Sequence, residues 1–183
     1  MTNGPGISRT PLPQGFQVSG VNSGVRRYRP DYGLILSDRD AVGVGVFTLN
    51  ECKAAPVTYC MSLLPSKHVR AIVTNSGQAN AATGVQGRDN NFRMASQVSK
   101  QLGCLPHQIL TASTGVIGKQ LEIEKLEAAV PELCEHLSDF AEPFSLAILT
   151  TDLVPKTVST EVKLSGGSVR ITGICKGSGM IHP

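Results

Sequence analysis

Apolar residues recur along this chain in short runs separated by Gly, Pro, Ser, Thr and Asn. The runs at 34–36, 42–47, 69–73, 109–110, 146–149 and 169–174 are brief and rich in β-branched residues. That pattern predicts strands, several of them buried on both faces. In the second run Gly43 and Gly45 alternate with valines, which predicts a strand crowded by another backbone. Two longer segments carry the helical period instead. Over residues 89–102, Phe92, Ala95, Val98 and Leu102 step by three and four onto one face, with Asp89 as the expected N-cap and Gly103 as the stop. Over 122–137, Ile123, Leu126, Val130, Leu133 and Leu137 fall in register, and Pro131 predicts a kink or two short helices meeting there. Strands on either side of amphipathic helices make a layered α/β domain. It is expected to fill residues 15–183, after a flexible segment over 1–14 that is rich in Gly, Pro, Ser and Thr.

Composition then narrows the function classes. A chain of 183 residues is long enough for one substantial core. No apolar run approaches the roughly 18–20 residues needed to span a bilayer. The first residues, Met1-Thr2-Asn3-Gly4-Pro5-Gly6, lack the build of a signal peptide. A cytoplasmic protein without a membrane partner is the expectation. The net charge of +3 is small, and Arg26-Arg27-Tyr28-Arg29 is the densest basic cluster. With no basic stripe, no Trp and few aromatics, neither a phosphate track nor a base-stacking platform is present, so no nucleic-acid partner is expected. Five widely spaced cysteines and four dispersed histidines form no C-x-x-C pair and no metal-ligand spacing, so no metal is expected.

Neither a nucleophile elbow nor a phosphate loop appears. Four compact motifs stand out instead, each dense in residues that turn the backbone or present hydroxyls and amides. Residues 75–84, from Asn75-Ser76-Gly77 to Thr83-Gly84, follow a strand and read as a tight loop, a favoured place for function. In Ser113-Thr114-Gly115-Val116-Ile117-Gly118, a Thr-Gly step aims a hydroxyl and a backbone N–H at one point, as an oxyanion hole requires. Leu149-Thr150-Thr151-Asp152 either binds a polar substrate or simply ends a strand in a turn. Last comes Cys175-Lys176-Gly177-Ser178-Gly179-Met180-Ile181-His182-Pro183, where one lysine beside a Gly-Ser-Gly loop offers a cation to a carboxylate. The chain stops there inside an apolar, patterned stretch, which reads as a polypeptide cut or left unfinished.

Taken in order, the four motifs resemble the ornithine acetyltransferase family. So do Lys53-Ala54-Ala55-Pro56-Val57, Gly45-Val46-Phe47-Thr48 and Gly15-Phe16. The resemblance covers nearly everything from Gly15 to Pro183. It implies an Ntn-hydrolase-like layered α/β sandwich, of the ornithine acetyltransferase and DmpA-like type, completed by a β chain. It implies a precursor that cleaves itself at an Ala-Thr step shortly after the Lys176 motif, leaving this chain as the α subunit of an α2β2 heterotetramer. The nucleophile, a threonine that begins the β chain and uses its own amine as base, then lies outside this chain. The implied reaction is ping-pong transfer of acetyl from N-acetylornithine to glutamate, in cyclic arginine biosynthesis. By the same match Thr114 and Gly115 form the oxyanion hole, and Thr150 and Lys176 contact the substrate, with Thr151 as the alternative to Thr150. No cofactor is implied, and acetyl-CoA stays open as a co-substrate. Gln78, Leu153 and Cys175 depart from the family's usual residues, none at an assigned position. The alternatives are a related acyltransferase or amidohydrolase for another acyl amino acid, and a non-catalytic structural subunit.

Overall fold

The computed structural model describes residues 9–177. Four strands form one sheet in the order β1-β2-β3-β4, namely β1 (Phe16–Val21), β2 (Tyr32–Gly43), β3 (Ser66–Gln78) and β4 (Ile109–Val116). The first three are antiparallel neighbours, whereas β3 and β4 run parallel. A parallel pair needs a crossover connection, and helix α2 (Gly84–Leu102) is the main element of it. Helices α1 (Ala55–Leu63), α3 (Ile123–Glu135) and α4 (Glu142–Ala147) complete the layers. A hairpin of β5 (Lys156–Leu164) and β6 (Gly167–Cys175) makes a second, two-stranded sheet.

Side-chain alternation decides which face each residue joins. Tyr32, Leu34, Val73 and Ile109 point to one face and meet Met94, Val98, Leu126, Val130 and Leu133 from α2 and α3. Each such fully buried side chain contributes about 1.5–3 kcal/mol, so this layer carries most of the stability. On the other face Val18 and Ile35 pack with Phe144 and Ile148 at α4. Close approach of α4 depends on two glycines that pair across β1 and β2, Gly20 and Gly33. A Cβ on Gly20 would lie 2.0 Å from the Pro143 carbonyl oxygen, and one on Gly33 would lie 2.8 Å from the Phe144 ring.

Several elements differ from the expected ones. Residues 146–149 belong to the end of α4 and the turn after it, not to a strand. A run of four apolar residues cannot distinguish the two periods, and Pro143 in the first turn favours the helix. β2 ends at Gly43, and residues 44–47 form no regular element. The neighbours crowding Gly43 are the side chains of Val69 and Leu64 rather than a backbone. α2 begins at Gly84, ahead of Asp89, and stops at Gly103 as expected, in a left-handed conformation with φ 66°. Its inward stripe is partly polar, with Asn90 and Asn91 buried, which rotates Phe92 outward to 54 % exposure. α3 runs unbroken through Pro131, which is exposed while Val130 and Leu133 anchor the opposite side. Tertiary packing there outweighs the lost backbone hydrogen bond. Fraying expected over 1–14 does not extend to its last residues: the Leu12 N–H donates to Asp139 O at 3.0 Å and the Thr10 N–H to Glu142 Oε1 at 2.7 Å. Residues 1–8, the rest of that segment, lie outside the described residues.

Gly20→Ala is expected to lower unfolding free energy by about 1–3 kcal/mol, because a helix must shift to admit one methyl. Gly166→Ala, where the added Cβ meets open space, is expected to stay within about 0.5 kcal/mol of wild type. Urea denaturation of the two variants checks the contrast, and equal midpoints would contradict the packing described.

Candidate active site

The first two polar motifs begin inside the strands: residues 75–78 end β3 and 113–116 end β4, and only 79–83 and 117–118 form the loops beyond them. β3 and β4 stay paired through Asn75↔Ser113, Ser76↔Thr114, Gly77↔Gly115 and Gln78↔Val116. Alternation sends Asn75 and Ser113 to the α2 and α3 face, where the Ser113 hydroxyl donates to Asn75 Oδ1 and Asn75 Nδ2 donates to Gln78 O. Buried Gln78 donates to Glu122 Oε1 at 2.8 Å and accepts the Glu122 N–H at 2.9 Å. Asn80 and Thr83 bond each other where α2 begins, and Asn80 Nδ2 donates to Gly87 O. These polar side chains of the 75–84 motif are thus consumed in holding the scaffold, as buried polar groups must be.

Ser76 and Thr114 face the other way, toward α4. The Ser76 hydroxyl donates to Ala147 O at 2.7 Å, tying β3 to the end of that helix. The chain leaving α4 then carries Leu149-Thr150-Thr151-Asp152 alongside the strand tips. Lys176 arrives from the end of β6. Its Nζ donates to Thr114 Oγ1 at 2.7 Å and to Thr150 Oγ1 at 3.0 Å, joining residues 62 and 26 positions away in sequence. Gly115 sits beside them with φ +134°, and a Cβ there would lie 2.3 Å from the Gly77 carbonyl carbon. Only glycine lets the two backbones close to this distance. All four expected site residues, Thr114, Gly115, Thr150 and Lys176, therefore converge. A cavity of about 380 Å³ opens next to them, lined by Arg26, Gly77, Gly115, Val116, Ile117, Thr150 and Thr151.

Asp152 holds this arrangement from behind. Its side chain is inaccessible to solvent and accepts from Lys156 Nζ and, at 2.7 Å, from the Gly177 N–H. The residue after Lys176 is thereby fastened to the Thr150 loop. Lys156 is the main reason its carboxyl is held down to about 2, against the cost of burial, and the Gly177 N–H adds to the effect. Residues 178–183, with the rest of the Gly-Ser-Gly loop and the expected approach to a cleavage site, lie outside the described residues. Among the described residues no group of His, Cys, Asp and Glu is arranged to hold a metal, and no helix is long and apolar enough to cross a membrane.

Comparison with known proteins places the sequence and the fold. The model of the ArgJ family matches residues 17–183. The chain belongs to the ArgJ family. The arginine biosynthesis bifunctional protein ArgJ of Thermosynechococcus vestitus is 47% identical over 93% of this chain, which spans 41% of that protein's length. The crystal structure of arginine biosynthesis bifunctional protein ArgJ from Bacillus halodurans superposes with a TM-score of 0.88 at 33% identity, covering 96% of this chain and 93% of that one. Ornithine acetyltransferase from Mycobacterium tuberculosis, solved in complex with ornithine, gives 0.87 at 32% identity, covering 96% and 94%. The layered α/β fold expected from the sequence is thus the fold of ornithine acetyltransferase structures. Sequence reasoning alone missed Arg26, whose place on the cavity wall is set by tertiary structure, and the clamping role of Asp152.

The Asp152 clamp carries a pH signature. Its folded-state value lies below the ordinary 3.8, so its stabilisation is present above that value and is lost as pH falls through about 2. The melting temperature of wild type should exceed that of Asp152→Asn at neutral pH, and the gap should close between these two values. A gap that stays constant across the window would show that the ionised carboxylate holds nothing.

Proposed function

We propose that this chain is the α part of an ornithine acetyltransferase. In this reading the enzyme moves acetyl from N-acetylornithine to a threonine at the start of the β chain, and from there to glutamate. The observation that carries the reading is the single ammonium of Lys176 bonded to both Thr114 and Thr150, beside a cavity of amino-acid size. The family supports it, since its matched relatives are named for arginine biosynthesis and one was solved with ornithine. We assign Thr114 and Gly115 to the oxyanion hole and Thr150 and Lys176 to substrate contact; Thr150 is preferred to Thr151 because its hydroxyl accepts from Lys176 at 3.0 Å.

Attack of the threonine hydroxyl on the acetyl carbonyl passes its proton to the threonine's own amine and leaves a negative charge on the carbonyl oxygen. The Gly115 N–H and the Thr114 hydroxyl are assigned to receive that charge. Thr114 Oγ1 accepts from Lys176, so its own proton remains available to donate, and a cation behind it strengthens that donation. Collapse breaks the C–N bond, returns the proton to the leaving amine and releases ornithine, leaving acetyl on the threonine. The glutamate amine reverses these steps and departs as N-acetylglutamate. Acetyl-CoA would enter as a second donor at the first step.

The partner reading has its own support. Val46, Leu49 and Leu153 are 96–100 % exposed, and Val42, Val44 and Val154 are largely so. They fall in two segments, 42–49 and 153–154, and exposed apolar surface of this kind is what another chain covers. We assign it to the β chain of the same precursor, within a cytoplasmic α2β2 assembly.

In the full-length protein, Thr114→Val is expected to lower kcat for acetyl transfer from N-acetylornithine to glutamate by about 10²–10³, with little change in KM. Steady-state kinetics with both amino acids measures it. Wild-type kcat in the variant would remove Thr114 from the oxyanion hole, and absence of transfer in wild type would remove the substrate assignment.

A further inference from the structure

Resting on that reading of the site, we propose that Arg26 is the carboxylate anchor shared by the donor and acceptor amino acids. Both substrates carry an α-carboxylate, and a ping-pong enzyme binds them in turn at one place. Two cations stand near that place. Lys176 already directs two of its three ammonium protons at the hydroxyls of Thr114 and Thr150, which ties its charge to the reacting carbonyl. Arg26 is the one charged residue among the described residues that line the cavity.

The surrounding loop is built to present it. Asp31 is fully buried and accepts the N–H of Ser23 at 2.7 Å and of Arg26 at 2.6 Å, while its own carbonyl accepts the Ser76 N–H. Asn22 Nδ2 donates to the carbonyls of Arg26 and Arg29 and closes the loop from the other side. The guanidinium is fastened through Nη1 alone, to Leu149 O and at 3.4 Å to Ser76 Oγ. Among the described residues, Nε and Nη2 have no partner. A guanidinium fixed by one nitrogen, with the rest of its fork unspent and a cavity in front, matches the bidentate geometry a carboxylate takes. The division of labour is then spatial: Lys176 serves the acetyl carbonyl and Arg26 the far end of the same amino acid.

The test uses the full-length protein and compares N-acetylornithine with its α-carboxamide. Wild type should prefer the carboxylate by roughly 10- to 100-fold in kcat/KM, the worth of one charge-assisted contact. In Arg26→Gln that preference should fall to within about threefold. KM for both donor and glutamate should rise by about tenfold or more while kcat changes little, and Arg26→Lys should fall between. Undiminished carboxylate preference with a fall in kcat alone would overturn the proposal, leaving Arg26 as a prop for the Leu149 carbonyl. A second measurement needs no variant: phenylglyoxal labelling of Arg26 in wild type, mapped by mass spectrometry, should be suppressed by glutamate or N-acetylornithine but not by the α-carboxamide. Equal labelling in all cases would also overturn it. Protection of Arg26 by glutamate in a protein that transfers no acetyl would sink the proposed reaction while upholding the anchor.

Discussion

Thr114 can meet Lys176 only because β3 and β4 remain paired beyond their apolar stretches. The apolar halves, Ala71 to Val73 and Ile109 to Leu110, are held by the helices packed on them. The polar halves are held instead by side-chain hydrogen bonds, Ser76 to Ala147 O and Gln78 to Glu122, and by a backbone contact that any side chain at Gly115 would break. Once that register is set, alternation assigns Asn75, Ser76, Ser113 and Thr114 their faces. Asn75 and Ser113 are spent inside the scaffold, whereas Ser76 and Thr114 face α4 and the loop after it. A slip of one residue would exchange the two sets and bury the site residues in the core.

From this register follows an electrostatic arrangement with little freedom. The ammonium of Lys176 lies between two neutral hydroxyls rather than against a carboxylate. Its charge is therefore not neutralised at the strand tips and acts on whatever approaches them. The carboxylate of Asp152 is kept away from that ammonium and is given instead to Lys156 and the Gly177 N–H. Placing the anion one residue further along fixes the backbone that carries Lys176, whose ammonium has no carboxylate partner among the described residues. Such an arrangement is fixed during folding, so on the proposed reading no dipole has to reorient as negative charge develops.

Local physics made part of this legible in the sequence. The buried stripe of α3 and the stop at Gly103 follow from period and from the left-handed turn that glycine favours. β5 was invisible because its residues, Lys156 to Leu164, have no fully buried face to impose alternation. The strand expected at 146–149 and the continuity of α3 through Pro131 were decided by tertiary packing, which short windows do not contain. At the site, Thr114 with Gly115 carried a local signal, a hydroxyl next to a flexible amide. The contact among Thr114, Thr150 and Lys176 carried none, since it closes over separations of 62 and 26 residues, and only the ordered resemblance of several motifs joined them. Arg26 sat unmarked in a basic cluster whose other arginines are exposed.

On the proposed reading, Thr114, Thr150 and Lys176 receive and steady a reacting acetyl group, and the attacking threonine lies on a second chain. Rapid-quench mass spectrometry of the full-length protein, mixed with N-acetylornithine and no acceptor, tests this directly. One acetyl group should appear on the N-terminal threonine of the second chain and disappear on adding glutamate, with none on this chain. Acetyl found instead on Thr114, Thr150 or Thr151, or a protein that turns over as a single uncleaved chain, would contradict it.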